Sequence, residues 1–152
     1  MGTVYSDQKT KWDQNDPSEM IKPIEQGGRV RIAYGSYTAA GEQSDIHMFN
    51  LPNGARILSG QLVHVGLASS TTLSVGHAAY NNAAGTAVAA DVDEYKAAAA
   101  STSTTTVGAC LTAALGLNSV VDADATGIPI TVSLAGADGT GLIELTMTYA
   151  LD

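Results

Sequence analysis

The fold class is decided near the end of the chain, where apolar and polar residues alternate in IPITVSL (residues 128–134) and IELTMTYAL (residues 143–151). Alternation with a period of two predicts β-strands that bury one face. The glycine-rich stretch GADGTG (residues 136–141) separates the two runs, so we expect an antiparallel hairpin. Its buried face would carry Ile128, Ile130, Val132, Leu134, Ile143, Leu145, Met147, Tyr149 and Leu151, and its solvated face Thr131, Ser133, Glu144, Thr146 and Thr148.

Shorter strand patterns precede this hairpin. Val30, Ile32 and Tyr34 alternate with more polar neighbours, which predicts a half-buried strand, and a loop centred on Gly41 separates it from a second strand at 45–51. The turn Leu51-Pro52-Asn53-Gly54 uses the Asn-Gly pair that tight turns favour. Further strands are predicted within the apolar run 55–67 and at 71–77, 108–117 and 118–121. This pattern indicates an all-β chain, a jelly-roll-like antiparallel β-sandwich.

One segment departs from the strand pattern. The stretch DVDEYKAAAA (residues 91–100) places acidic residues first, then Lys96 and four alanines. Acidic residues in a first turn complement the helix dipole, and alanine has the highest helix propensity. We therefore predict one short helix here, inserted between strands of the sandwich.

The first 28 residues differ from the remainder. They contain isolated hydrophobic residues with no sustained period, and the pairs Asp16-Pro17 and Lys22-Pro23 disfavour helix. Such a segment buries too little apolar surface to fold alone. We predict an extended N-terminal arm at 1–28, either a disordered tail or a segment that becomes ordered on a partner, and a β-sandwich domain at 29–152.

Charge is distributed unevenly along the 152 residues, whose formal net charge is -8. Residues 57–152 hold Lys96 as their one basic residue, against eight acidic residues. Binding to a phosphate backbone requires clustered lysine and arginine, so the sandwich would repel a polyanion and we predict no direct nucleic-acid partner. No run approaches the roughly 18 apolar residues of a membrane helix, so we predict no membrane partner.

Residues with catalytic or metal-binding chemistry are few. His47, His64 and His77 fall on predicted strands without a Cys, Asp or Glu at the spacing of a shared metal site, and the lone Cys110 lies among apolar residues. Acidic clusters at 91–94 and 122–124 lack the remaining oxygen ligands of a calcium loop. No Gly-x-Ser-x-Gly element or phosphate-binding loop is present. We predict a protein that is not an enzyme and has no metal or other cofactor.

Three stretches carry a resemblance to a known class of proteins: GARILSG (residues 54–60), STTLSVG (residues 70–76) and GLIELTMTY (residues 141–149). With them, residues 47–152 resemble the small capsid decoration, or cement, proteins of tailed bacteriophages. The resemblance implies a jelly-roll subunit that forms a homotrimer on the outer capsid surface of the virion and bridges neighbouring major capsid proteins. Such a protein would be made in the host cytoplasm.

The arm and the first strand would then supply the contact with the major capsid protein. The candidate contact residues are Tyr5, Trp12, Met20, Ile21, Ile24, Arg29 and Arg31. The alternative is a head or tail fibre module that recognises a host surface glycan through loops of the sandwich. A glycan reader would expose a cluster of aromatic residues, whereas the chain has one Trp, in the arm, and one Phe.

Overall fold

The computed structural model describes residues 28–151, without the side chains of residues 42–44. These residues form a jelly-roll-like antiparallel β-sandwich built from strands alone, apart from one 3-10 turn at Ala113–Leu115. The strands are β1 (Arg29–Leu51), β2 (Arg56–His64), β3 (Thr72–His77), β4 (Tyr80–Asn81), β5 (Ala87–Val88), β6 (Asp91–Ala100), β7 (Thr105–Ala109) and β8 (Ile128–Leu151).

Two long strands, β1 and β8, run through both halves of the sandwich and pair with each other along almost their whole length. The first half of β8 also pairs with β3, and β6 pairs with the far side of β3. The second half of β8 pairs with β2, and β7 pairs with the far side of β2. Each half of the sandwich is therefore a four-stranded layer that has β1 at one edge and either β6 or β7 at the other.

Glycine allows the bend between the halves. Residues 135–138 of β8 lie opposite residue 43 of β1 alone, so β8 bulges where the layers meet. Gly136 in this bulge has φ +91°, and a Cβ there would lie 2.1 Å from the carbonyl oxygen of Ser70. Beyond the bend β1 folds back on itself, since a Cβ on Gly35 would lie 2.8 Å from the carbonyl oxygen of Met48. Both ends of β1 consequently lie at the same end of the sandwich, which we call the open end.

The hydrophobic core lies between the two layers. The residues predicted for the buried face of the terminal strands enter it, and Ile130, Val132, Ile143, Leu145 and Met147 are fully buried. Ile57 and Leu62 of β2 and Leu73 and Val75 of β3 meet them. The apolar face predicted for residues 128–134 and 143–151 is confirmed here.

The hairpin predicted from 128 to 151 is wrong. These residues form the single strand β8, because the equally long β1 continues beside them through the glycine-rich stretch. For the same reason the loop predicted around Gly41 is part of β1. The solvated face was also incorrect in part, since Thr131 and Ser133 are buried; Ser133 Oγ donates a 2.5 Å hydrogen bond to Asp45 Oδ1.

The helix predicted at 91–100 is also wrong, because this segment is the edge strand β6. It is antiparallel to β3, with Leu73 opposite Ala99 and Val75 opposite Lys96. Tyr95 and Lys96 are buried against the sandwich, so tertiary pairing overrides the local helix propensity of the alanines. The strands predicted at 108–117 and 118–121 are reduced to the end of β7 and one isolated bridge at Val120. Between residues 28 and 151 no helix is long and apolar enough to span a membrane.

Candidate interaction surface

The sequence-predicted contact residues divide into two groups. Arg29 and Arg31 are exposed at the start of β1. The other five, Tyr5, Trp12, Met20, Ile21 and Ile24, lie outside the described residues, as does the arm apart from Gly28. The structure therefore gives the geometry of the arginines and of the strand that carries them.

The start of β1 is an exposed sheet edge. β8 pairs with one side of β1, and no other strand within residues 28–151 pairs with its second side. Val30, Ile32 and Tyr34 share a face with Thr146 and Thr148 of β8 and are 64%, 69% and 57% exposed. We call residues 29–34 the arginine edge.

The alternation of residues 29–34 did not reveal this exposure. It predicts that Val30, Ile32 and Tyr34 form the buried face, whereas they lie on the outer face of the layer. Ile32 and Tyr34 lie opposite Thr148 and Thr146, from the polar set of the second half of β8. The core residues Met147 and Leu145 lie opposite Ala33 and Gly35. Arg29 and Arg31 share the face of Ala33 and Gly35, so the charge pattern of the run pointed to the wrong face as the solvated one.

Tyr34 and Glu144 are linked across the outer face. The Tyr34 hydroxyl donates to the Glu144 carboxylate, and this hydrogen bond is the main reason that the pKa of Tyr34 is raised. The other exposed tyrosine of β1, Tyr37, lies opposite the core residue Ile143, so the two rings belong to opposite faces of the strand. They do not form the shared aromatic platform that the glycan-binding alternative requires.

Basic residues gather at the open end of the sandwich. Arg29 lies opposite Leu151 and Arg31 opposite Tyr149, while Arg56 lies opposite Ala150 on the other side of β8. Arg56 Nη1 donates a 3.1 Å hydrogen bond to the carbonyl of Asn118. Lys96 on β6 is the one other Lys or Arg among residues 28–151. The arginine edge and its surroundings are therefore the positive region of the described surface.

Acidic residues occupy the opposite side. Asp91, Val92, Asp93 and Glu94 are all exposed at the start of β6, and we call them the acidic edge. The backbone N–H of Asp93 donates a 3.2 Å hydrogen bond to Asp91 Oδ1, which shapes the start of the strand. Glu94 and Asp122 both lie close enough to Tyr80 to add to the effect of burial in raising its pKa.

The histidines are tied into the sandwich. His64 and His77 are buried on β2 and β3, and the Nδ1 of each donates to a backbone carbonyl, at 2.9 Å to Val65 and 3.0 Å to Ala78. His47 is exposed on β1. In the part of the chain that the structure describes, no three His, Cys, Asp or Glu side chains are grouped so that they could hold a metal ion.

Two further reactive groups are buried. Burial raises the pKa of the Cys110 thiol to about 12, which keeps it protonated and unreactive at neutral pH. Lys96 Nζ donates to the carbonyls of Leu73 at 3.2 Å and Ala97 at 3.0 Å, and desolvation lowers its pKa. Both groups are held by the interior of the sandwich and do not face the arginine edge.

Comparisons with known proteins agree with this fold. No protein-family model matches the chain, and no curated protein sequence matches it. Among solved structures, a chain in the capsid asymmetric unit of cyanophage Pam1 is 22% identical, with a TM-score of 0.58 over 82% of this chain and 86% of that one.

Two other capsid structures contain similar chains. One, in the capsid of Ralstonia phage GP4, is 17% identical, with a TM-score of 0.60 over 87% of this chain and 91% of that one. The other, in the acidic stable capsid structure of Helicobacter pylori bacteriophage KHP30, is 16% identical, with a TM-score of 0.52 over 80% of this chain and 87% of that one. The chain therefore has a β fold that is also found in chains of three bacteriophage capsids.

Proposed function

We propose that this protein is a structural component of a bacteriophage virion, and specifically a decoration protein that stabilises the head by bridging neighbouring major capsid proteins. The observation that carries the proposal is the fold shared with chains of three phage capsids, over 80–87% of this chain. Fold alone does not determine function, so the surface of the sandwich provides the second support.

That surface suits assembly better than catalysis. Four of the eight large hydrophobic residues exposed between residues 28 and 151 lie on the edge strand β1, and the buried His and Cys side chains are held by the interior. A predominantly acidic body also favours a soluble, solvent-facing particle surface. We place the protein on the outer face of the capsid as a homotrimer.

The arm supplies the capsid contact in this proposal. It precedes Arg29, where β1 starts at the open end of the sandwich. A segment that becomes ordered on binding can cover a large surface and anchor it with a few aromatic side chains. Trp12 is the largest such side chain, and Tyr5, Met20, Ile21 and Ile24 accompany it.

The test is an add-back experiment with particles that lack this protein. Purified full-length chain is mixed with them, and binding is followed by co-sedimentation and stability by the temperature at which the genome is released. We expect saturable binding and a higher release temperature. Absence of binding at concentrations well above those of capsid subunits would refute the decoration role.

Deletion of residues 1–28 then tests the arm separately. The truncated chain should keep its β-sheet circular dichroism but lose capsid affinity. If a folded truncated chain binds as tightly as the full chain, the contact belongs to the sandwich and the proposed role of the arm is incorrect.

A further inference from the structure

The arginine edge has the properties of an incomplete interface. Residues 29–34 form a strand edge with exposed β-branched side chains, and such edges pair with other chains unless something covers them. Among the side chains that the structure describes, Arg29 and Arg31 form no ion pair, so these side chains leave the charge of both arginines uncompensated. A partner for this edge should therefore be acidic and should offer a strand.

The same chain carries such a strand on its other side. β1 is an edge of the sandwich and β6 is the edge beyond β3. The acidic edge also lies at the open end. Asp91 pairs with His77, and His77 pairs with Ile130 of β8. Ile130 is two residues from Ile128, which pairs with Leu51 at the open end. Oppositely charged edges thus lie at one level on opposite sides of the molecule.

The first three residues of the two edges are complementary, and in β6 they begin a bulge, since residues 92–95 lie opposite Gly76 alone. The arginine edge begins Arg29-Val30-Arg31-Ile32, and the acidic edge reads Asp91-Val92-Asp93-Glu94. In each strand the charged residues at the first and third positions alternate with a valine at the second. Both strands run away from the open end, so copies placed side by side in the same orientation would bring them parallel.

We propose that the arginine edge of one copy docks on the acidic edge of a second copy. Arg29 and Arg31 would face Asp91 and Asp93, and Val30 would pack on Val92. The contact uses different surfaces on the two copies, so repetition closes into a ring if the rotation permits. A ring of three copies rests on the proposed function. The pairing of the two edges rests on their opposite charges and on their positions at the open end.

Other occupants of the arginine edge fit less well. Two arginine edges facing each other would oppose like charges, which destabilises cross-strand pairs. The proposal assigns Arg29 and Arg31 to the neighbouring copy and leaves the arm residues for the capsid protein. Contact between these arginines and the capsid protein becomes an outcome of the test.

The experiment measures the mass of the full-length chain by light scattering and native mass spectrometry. We expect a multimer that dissociates on dilution and weakens as the salt concentration rises from about 50 to about 500 mM. Reversal of one edge, with Arg29→Glu and Arg31→Glu or with Asp91→Arg and Asp93→Arg, should raise the dissociation constant at least about tenfold. In a mixture of the two reversed proteins both kinds of contact between unlike copies pair opposite charges, so mixed assemblies should form although neither variant assembles alone. The chain with all four changes should recover the multimer.

Ser103→Lys is the matched control, because it changes the charge of an exposed loop residue at the other end of the sandwich and should leave the mass unchanged. If a reversed variant does not fold, judged by circular dichroism, Arg29→Ala with Arg31→Ala replaces it.

A full-length chain that is monomeric at all concentrations would overturn the proposal, as would a multimer that the reversals do not weaken. Arginine variants that lose capsid affinity while their mass is unchanged would assign the edge to the capsid protein instead. Edge pairing in a chain that does not bind capsids would refute the decoration role and leave this inference intact.

Discussion

Gly76 gives the sharpest test of how β6 is placed. Gly76 is buried on β3, and a Cβ added there would lie 2.0 Å from the carbonyl oxygen of Asp91 and 2.7 Å from the Cα of Val92. Ordinary contacts of a Cβ begin near 3.4 Å. Gly76→Ala therefore requires the start of β6 to move away by more than 1 Å, and backbone atoms cannot do so without loosening the pairing of His77 with Asp91.

The expected loss of stability follows from two opposing effects. Overpacking of a closely packed site costs about 1–3 kcal/mol, and one weakened backbone hydrogen bond adds about 1 kcal/mol. Replacing glycine by alanine in a strand returns about 0.5–1 kcal/mol through the smaller entropy of the unfolded chain. The net loss should be about 2 kcal/mol, which lowers the Tm of a domain of this size by about 4–8 °C.

Gly60→Ala is the control for this measurement. Gly60 is also a buried strand residue, but its added Cβ would meet the Ala109 Cβ at 3.1 Å, a contact that a small local shift relieves. Its stability should stay within about 1 kcal/mol of that of the parent. Thermal and urea unfolding followed by circular dichroism compare the two variants. If Gly76→Ala is as stable as Gly60→Ala, β6 does not cross Gly76 as described.

Three further predictions concern the core, the buried thiol and the arm. Leu145→Ala removes a fully buried side chain and should lower the free energy of unfolding by about 2–5 kcal/mol. Thr146→Ala, on the outer face, should change the free energy of unfolding by about 0.5 kcal/mol. Equal effects of the two substitutions in urea unfolding would contradict the assignment of the two faces. The pKa of Cys110 rises from 9.0 to about 12 on folding, so the unfolded thiol ionises first and stability should fall from pH 9 upward, by about 1.4 kcal/mol at pH 10. Cys110→Ala should show a correspondingly smaller fall in pH-dependent unfolding, and parallel curves would show that the thiol is not buried. Trp12→Ala should weaken capsid binding by about 30-fold or more in the co-sedimentation assay, and unchanged affinity would remove Trp12 as an anchor.

Periodicity predicted the parts of the fold that depend on one strand at a time. The buried and exposed faces of residues 143–151 follow from the alternation, because one face of that strand meets the core. Periodicity does not specify which strand lies alongside. The glycines between 136 and 141 are compatible with a hairpin turn and with a bent strand, and the length of β1 decides for the bent strand.

Residues 91–100 show a second limit. Four alanines after Lys96 favour a helix locally, but alanine also fits an exposed sheet edge, and the burial of Tyr95 and Lys96 fixes the segment against β3. The candidate surface was likewise predicted only in part, because local sequence does not specify how the strands pack. Arg29 and Arg31 were identified from their charge, whereas the exposure of Val30 and Ile32 depends on which face of β1 meets the core, a property of the assembled sheet.

We propose that this sandwich decorates the outside of a phage head. A cryo-electron microscopy map of the particle whose genome encodes the chain tests it most directly. We expect density for the sandwich of residues 28–151 on the outer face of the capsid shell, in contact with two neighbouring major capsid subunits. Density for the sandwich inside the shell or on the tail, or a particle without this chain, would contradict it.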